Sequence, residues 1–151
     1  MTNNSSKTNL PNEIVSTSKL VKVLTLRCFD EYNFEITPEQ FVILDTVFKN
    51  NSIYQRQIGE LIGKDRPNVA RLINILEEKN LIIRTKDSNG RQINRIKLTE
   101  KGLNTRNKIH PIINSVRNSY LKDIDEEELN LCFNILNKIK TNISQNIKLK
   151  T

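Results

Sequence analysis

The side chains best placed to do chemistry in this chain are recognition groups, and hardly any are catalytic. The only histidine is His110, so any Ser-His-Asp arrangement would have to pass through it, and no hydrolase-type serine motif is present. Cys28 and Cys132 are far apart in sequence, and a tetrahedral metal site would have to gather ligands from three separate elements. No glycine-rich phosphate loop occurs. The acidic run Asp123 to Glu128 reads as helix capping and dipole complement, not as an acid/base pair. We therefore expect no enzyme activity, no metal and no cofactor. What remains is a basic and amide-bearing set between Arg56 and Arg91: Arg56, Gln57, Arg66, Asn68, Arg71 and Arg91, with Pro67 and Asp87 among them. Arginine forks and asparagine amides are the groups that meet phosphates and base edges.

These residues must be positioned by the stretch Gln55 to Leu98, which parses as helix, tight turn, helix, strand, glycine-tipped loop and strand. Asp65 is a good N-cap, Arg66 and Pro67 fit the first turn that follows it, and Gly63 supplies the turn before it. Val69, Leu72, Ile73 and Leu76 recur at the spacing of one apolar helical face. Pro67, Arg71, Asn74 and Glu78 then lie opposite, with Asn68 on the flank. The spacing predicts a helix-turn-helix whose second helix is free to enter a DNA major groove, against the plainer alternative of a helical hairpin. Leu81 to Ile83 and Ile93 to Leu98 flank an Asn89-Gly90 turn, a strong hairpin signal. The hairpin carries Arg84, Lys86, Arg91, Arg95 and Lys97, a basic wing suited to phosphate or the minor groove.

The run RPNVARLINILEEKNLI, Asp87 to Arg91 as D-x-x-x-R, and LTEKG at Leu98 to Gly102 together resemble the MarR family of bacterial winged-helix regulators. The upstream ITPEQFVIL, Ile36 to Leu44, resembles that family's second helix, and the similarity extends from about Asn12 onward. Ser88 and Gly90 depart from the family's wing, where proline and a second acidic residue are common. The resemblance implies a homodimer in which first, fifth and sixth helices interlock, so that two reading helices meet successive half-sites on double-stranded DNA. It implies a repressor whose operator affinity falls when a small aromatic or phenolic effector binds. Phe29, Tyr32, Phe41 and His110 come from elements that border such a pocket in the family, although ordinary packing accounts for them as well. Some relatives sense hydroperoxides through a first-helix cysteine, which makes redox sensing by Cys28 an alternative; a buried thiol is the plainer reading.

With 151 residues the chain is one domain's worth, and 24 Lys+Arg against 17 Asp+Glu give a net charge of +7. That balance favours an anionic partner. No apolar run approaches the ~18 residues of a membrane helix, and the polar start lacks a signal peptide's core. We expect a cytoplasmic protein with reduced thiols and no membrane partner. In order, the expectations are a flexible arm over 1–11, a helical dimerisation region over 12–35 and 100–147, and the winged helix-turn-helix over 36–99. Helix starts are marked by Thr37-Pro38-Glu39-Gln40, by Thr99, and by the Asp125 to Glu128 capping box. Phe41, Leu44, Val47 and Phe48 should point inward, and Pro111 should kink or end the helix it interrupts. The final helix carries Leu129, Cys132, Ile135, Leu136, Ile139, Ile143 and Ile147 as one stripe, which implies a partner surface, and a second copy is the obvious partner. A protein-interaction role for the winged helix, or RNA binding by shape, are further alternatives; the chain shows no aromatic stacking motif for the latter.

Overall fold

The computed structural model describes the backbone of residues 5–85 and 95–148. It is mainly helical with a small antiparallel sheet, a winged helix. The elements are α1 (Ser5–Glu31), α2 (Pro38–Asn50), β1 (Ile53–Tyr54), α3 (Gln55–Ile62), α4 (Arg66–Glu78), β2 (Ile82–Thr85), β3 (Arg95–Leu98), α5 (Glu100–Tyr120) and α6 (Glu126–Lys148). They form two compact units, 1–116 and 117–151.

Local chemistry sets the helix boundaries. Thr37 and Gln40 form a reciprocal capping box at the start of α2, with Thr37 Oγ1 accepting from the Gln40 N–H and Gln40 Oε1 from the Thr37 N–H. Asp125 and Glu128 do the same before α6, at 2.9 and 3.0 Å. Thr99 Oγ1 accepts the Gly102 N–H at 2.9 Å and opens α5. Gly63 ends α3 at φ 66°, a conformation that favours glycine.

In the first unit one core joins α1, α2, α3, α4, the sheet and α5. Ile43, Leu44, Ile58, Ile73, Leu76, Ile82 and Ile96 are fully buried there. The sheet order is β1-β3-β2, with Ile53 opposite Ile96 and Ile82 opposite Leu98. The third strand, β1, was not foreseen, because two residues are too short for an alternation to register.

Three expectations are corrected. The helix α1 begins at Ser5, inside the stretch expected to be a flexible arm, and runs through Pro11. Near an exposed helix end the backbone bond that proline removes is readily replaced by water. At its other end α1 stops at Glu31, short of the expected helical region's limit at 35, and Asn33 turns to φ 49°. Of the two outcomes expected at Pro111, a kink or an end, the end does not occur: α5 continues to Tyr120. Phe48, expected inside, is 39% exposed at the end of α2, with the Arg106 guanidinium 4.0 Å from its ring centroid. The arginine covers the ring in place of the core.

Asp45 and Arg106 are the charged pair inside this unit. Both Nε and Nη2 of Arg106 donate to Asp45 Oδ1, at 3.0 and 2.8 Å, and Lys49 reaches Asp45 Oδ2 at 2.7 Å. Burial alone would push the Asp45 carboxyl up; the hydrogen bonds from Lys49 and Arg106 outweigh it and hold it below the ordinary aspartate value.

Candidate nucleic-acid interface

The site is built around the start of α4. Asp65 Oδ1 accepts the Asn68 N–H at 2.9 Å, and its Oδ2 accepts from Asn68 Nδ2 at 2.8 Å. The first bond satisfies one of the orphan N–H groups of the helix; the second fixes the Asn68 amide. These two bonds also hold the Asp65 carboxyl below its ordinary range, the backbone bond first. Val69, Leu72, Ile73 and Leu76 are buried. Arg66, Pro67, Asn68, Arg71, Asn74 and Glu78 are exposed, so the helix offers one continuous polar face. Gly59 lets α3 pack tightly beneath the turn, since a Cβ there would lie 3.0 Å from the Lys64 carbonyl oxygen.

Arg56 sits on the exposed first turn of α3, 3.4 Å from Glu60. A solvated i,i+4 pair of this kind is worth well under ~1 kcal/mol, so the guanidinium exchanges readily to another anion. Gln57 is exposed but partly committed, its Oε1 accepting the Tyr54 N–H at 3.1 Å. Lys64, in the turn, pairs with Glu39 at 2.8 Å, and that hydrogen bond holds the Glu39 carboxyl low.

The wing differs from its expected form in two charges. Arg84 donates from Nη1 to Glu77 and from Nη2 to Asn74 Oδ1, and so faces α4. Arg95 lies 4.7 Å from the Tyr54 ring centroid. Both belong to the basic wing expected to meet phosphate or the minor groove; here Arg84 is engaged by a carboxylate and an amide, and Arg95 by a ring face. Lys97 is exposed on β3. Lys86, Asp87 and Arg91 lie outside the described residues.

The four expected effector residues are not gathered around one cavity. Phe29 lines an open depression of about 630 Å³ with Leu26, Arg27, Phe34, Ile36 and Pro38. Phe41 is buried behind it, 6.0 Å from the Phe29 ring centroid, and Tyr32 is exposed and stacked on Phe34 at 5.6 Å. His110 is on α5, with Asn114 Nδ2 3.3 Å from its Nδ1. Cys28 is buried, and burial, helped by Glu31, pushes its thiol up, which disfavours the thiolate a redox sensor needs. Cys132 is exposed on α6, not packed in a core. Among the described residues no group of three or more His, Cys, Asp or Glu could hold a metal ion, and no helix is long and apolar enough to cross a membrane.

Sequence reasoning missed the Asp45–Arg106 pair and the Arg84–Glu77–Asn74 contact. The first had a signal: Asp45 adjoins Leu44 on the apolar face of α2, and Arg106 falls between Leu103 and Ile109 on α5. Opposite charges on two otherwise apolar faces invite pairing.

A capped reading helix, a helix-turn-helix partner and an antiparallel hairpin define a winged-helix protein of the transcriptional-regulator class, a class of binding proteins and not of enzymes. Residues 36–93 match the family model of the MarR family. Among solved structures, the transcriptional regulator SlyA is 29% identical with a TM-score of 0.80, the match covering 95% of this chain and 99% of that one. A putative MarR family transcriptional regulator from Listeria monocytogenes, in complex with 26mer DNA, is 26% identical with a TM-score of 0.77 over 89% of each chain. The transcriptional regulator PA3341 is 27% identical, also at 0.77, over 90% of this chain and 98% of that one. Residues 36–93 thus carry the MarR family's domain, and the chain is similar to solved transcriptional regulators over nearly its whole length.

Proposed function

We propose that this protein is a homodimeric, sequence-specific regulator of transcription acting on double-stranded DNA in the cytoplasm, a repressor released from its operator by a small molecule. The observation that carries the reading is the exposed row Arg66, Pro67, Asn68 and Arg71 on a helix start fixed by Asp65. The Listeria monocytogenes relative in complex with 26mer DNA supports the same partner. In this reading Asn68 and Arg71 meet base edges or nearby phosphates, Pro67 touches a thymine methyl, and Arg66 sits near phosphate. Arg56 and Gln57 hold the DNA backbone from α3. Arg91 serves the minor groove, with Asp87 shaping the wing.

A second copy is favoured by the apolar side chains that α6 exposes, Leu131, Phe133, Ile135, Leu136, Ile143 and Ile147. The depression beside Phe29 suits a small aromatic acid, with ring surface from Phe29 and Phe34 and the Arg27 guanidinium for a carboxylate. Such a ligand weakens DNA binding to the extent that it prefers a dimer whose heads do not match successive major grooves.

Fluorescence anisotropy with DNA from upstream of the protein's own gene, against a scrambled duplex, over ~50 to ~200 mM salt tests this. We expect the native duplex to bind about a thousandfold more tightly, with steep salt dependence. Arg71→Ala should weaken specific binding by ~1–3 kcal/mol. Equal, weak binding to both duplexes, and to duplexes selected from random sequence, would remove the reading.

A further inference from the structure

The outer face of α4 ends in a feature that a DNA-reading helix would be expected to avoid. Glu77 and Glu78 close the helix, and its last turn holds no basic residue. Carboxylates there oppose the negative end of the helix dipole and repel an approaching phosphate. The nearest cation comes from outside the helix. Arg84, the third residue of β2, sends one guanidinium nitrogen to Glu77 and the other to the side-chain oxygen of Asn74, on the same face as Arg71. Its side chain is only 22% exposed. Ile96 lies opposite it in the ladder, so Arg84 ties the paired strands β2 and β3 to α4.

Resting on the DNA-binding reading above, we propose that Arg84 is a positioning residue for recognition: it locks the wing to the outer face of the reading helix through Glu77 and Asn74, and turns the Asn74 amide outward as a donor. Two consequences follow from the geometry. The strands β2 and β3 and the helix α4 move as one body, which fixes where the wing's base stands against what the helix touches. With its Oδ1 held by Arg84, Asn74 presents Nδ2–H, which suits a phosphate oxygen or a purine N7 or O6. The Arg84 charge is neutralised inside the protein and adds nothing to counterion release.

That last point separates a lock from an ordinary phosphate contact. An arginine on phosphate, when removed, lowers the slope of log K against log salt by about one and weakens all sequences alike. Glu77→Ala is sharper still, because deleting a carboxylate near DNA should tighten binding if its charge is all that matters. The test uses the full chain with a duplex that the wild-type protein selects from random sequence, a scrambled duplex and a salt series. We expect Arg84→Ala and Glu77→Ala each to lower the ratio of selected- to scrambled-duplex affinity about tenfold, with the salt slope kept for Arg84→Ala. The charge-reversed pair Arg84→Glu with Glu77→Arg should recover most of the preference. A slope lowered by one in Arg84→Ala, or tighter selected-duplex binding by Glu77→Ala, overturns the lock and leaves the DNA-binding reading standing. Should Arg84→Ala fail to fold, Glu77→Ala decides alone. Wild-type protein that selects no duplex overturns both readings.

Discussion

Asp45 on α2 and Arg106 on α5 form a buried ion pair within the first unit. Asp45 and Arg106 are each about 10% exposed at the side chain, and Arg106 also covers the Phe48 ring. Asp45→Asn leaves the guanidinium buried against a neutral amide, and breaking a buried pair from one side costs about 3 kcal/mol. The pH dependence has a definite sign. The folded carboxyl lies below its unfolded value, so the pair's contribution is complete above the ordinary aspartate range and is lost as the pH falls through that range toward the lower folded value. Urea unfolding at pH 7 should show the full difference between wild type and Asp45→Asn, and the difference should shrink steadily below pH ~4. A gap of the same size at both ends would mean that the carboxylate charge is not what stabilises the pair. At the same scale, the exposure of Asn68 and Arg71 on α4 was legible in the sequence, because helical phase places Arg71 opposite Val69, Leu72, Ile73 and Leu76, with Asn68 on the flank. The sequence concealed which arginines were already engaged. Nothing in the spacing of Arg84 from Glu77 distinguishes a phosphate contact from an internal one, since that depends on how a strand folds back over a helix.

At the scale of elements, the junction between α4, the hairpin and α5 is where backbone geometry decides. Thr99 N–H donates to the Leu81 carbonyl at 3.1 Å, Thr99 Oγ1 donates to the Asn80 carbonyl at 2.7 Å, and Lys101 Nζ reaches the Lys79 carbonyl at 3.0 Å. Gly102 sits against the same Leu81 carbonyl, and a Cβ on it would fall 1.9 Å from that oxygen. Alanine in place of glycine ordinarily favours a helix by up to ~1 kcal/mol. Here the neighbour is backbone that cannot rotate away, so Gly102→Ala should destabilise by about 2–3 kcal/mol. Thermal unfolding checks the direction, and a stabilised variant would show that the junction can open without penalty. The family motif Leu98 to Gly102 made this glycine visible in the sequence, but not its reason, which is the close passage of Leu81. Helix starts were legible for the same kind of cause: a cap is a local contract between residues three apart, as at Thr37–Gln40 and Asp125–Glu128. The short strand β1 was less so, because Ile53–Tyr54 is defined by its pairing with Ile96 and Arg95 in a distant part of the chain.

For the whole molecule, the apolar surface left outside the core points to association. On α1, Leu20, Val23 and Leu24 are exposed, and on α6 Ile143 and Ile147 are 52% and 62% exposed. Side chains of this size rarely face water along a helix unless another surface covers them. Because they contribute little to the core, Ile143→Asp with Ile147→Asp should leave the melting of the first unit near that of wild type while it abolishes dimers in sedimentation equilibrium. The effect on DNA then tests how the two reading heads cooperate. A half-site duplex engages one head and should bind wild type and variant alike. A duplex with two half-sites about one helical turn apart engages both heads only when they are joined, and joined heads gain on the order of a hundredfold. The variant should lose that gain and keep the half-site affinity. Persistence of dimers would place the interface elsewhere than this stripe of α6. Loss of dimers with undiminished two-site affinity would instead mean that the heads assemble on the DNA itself, with α6 serving a different partner.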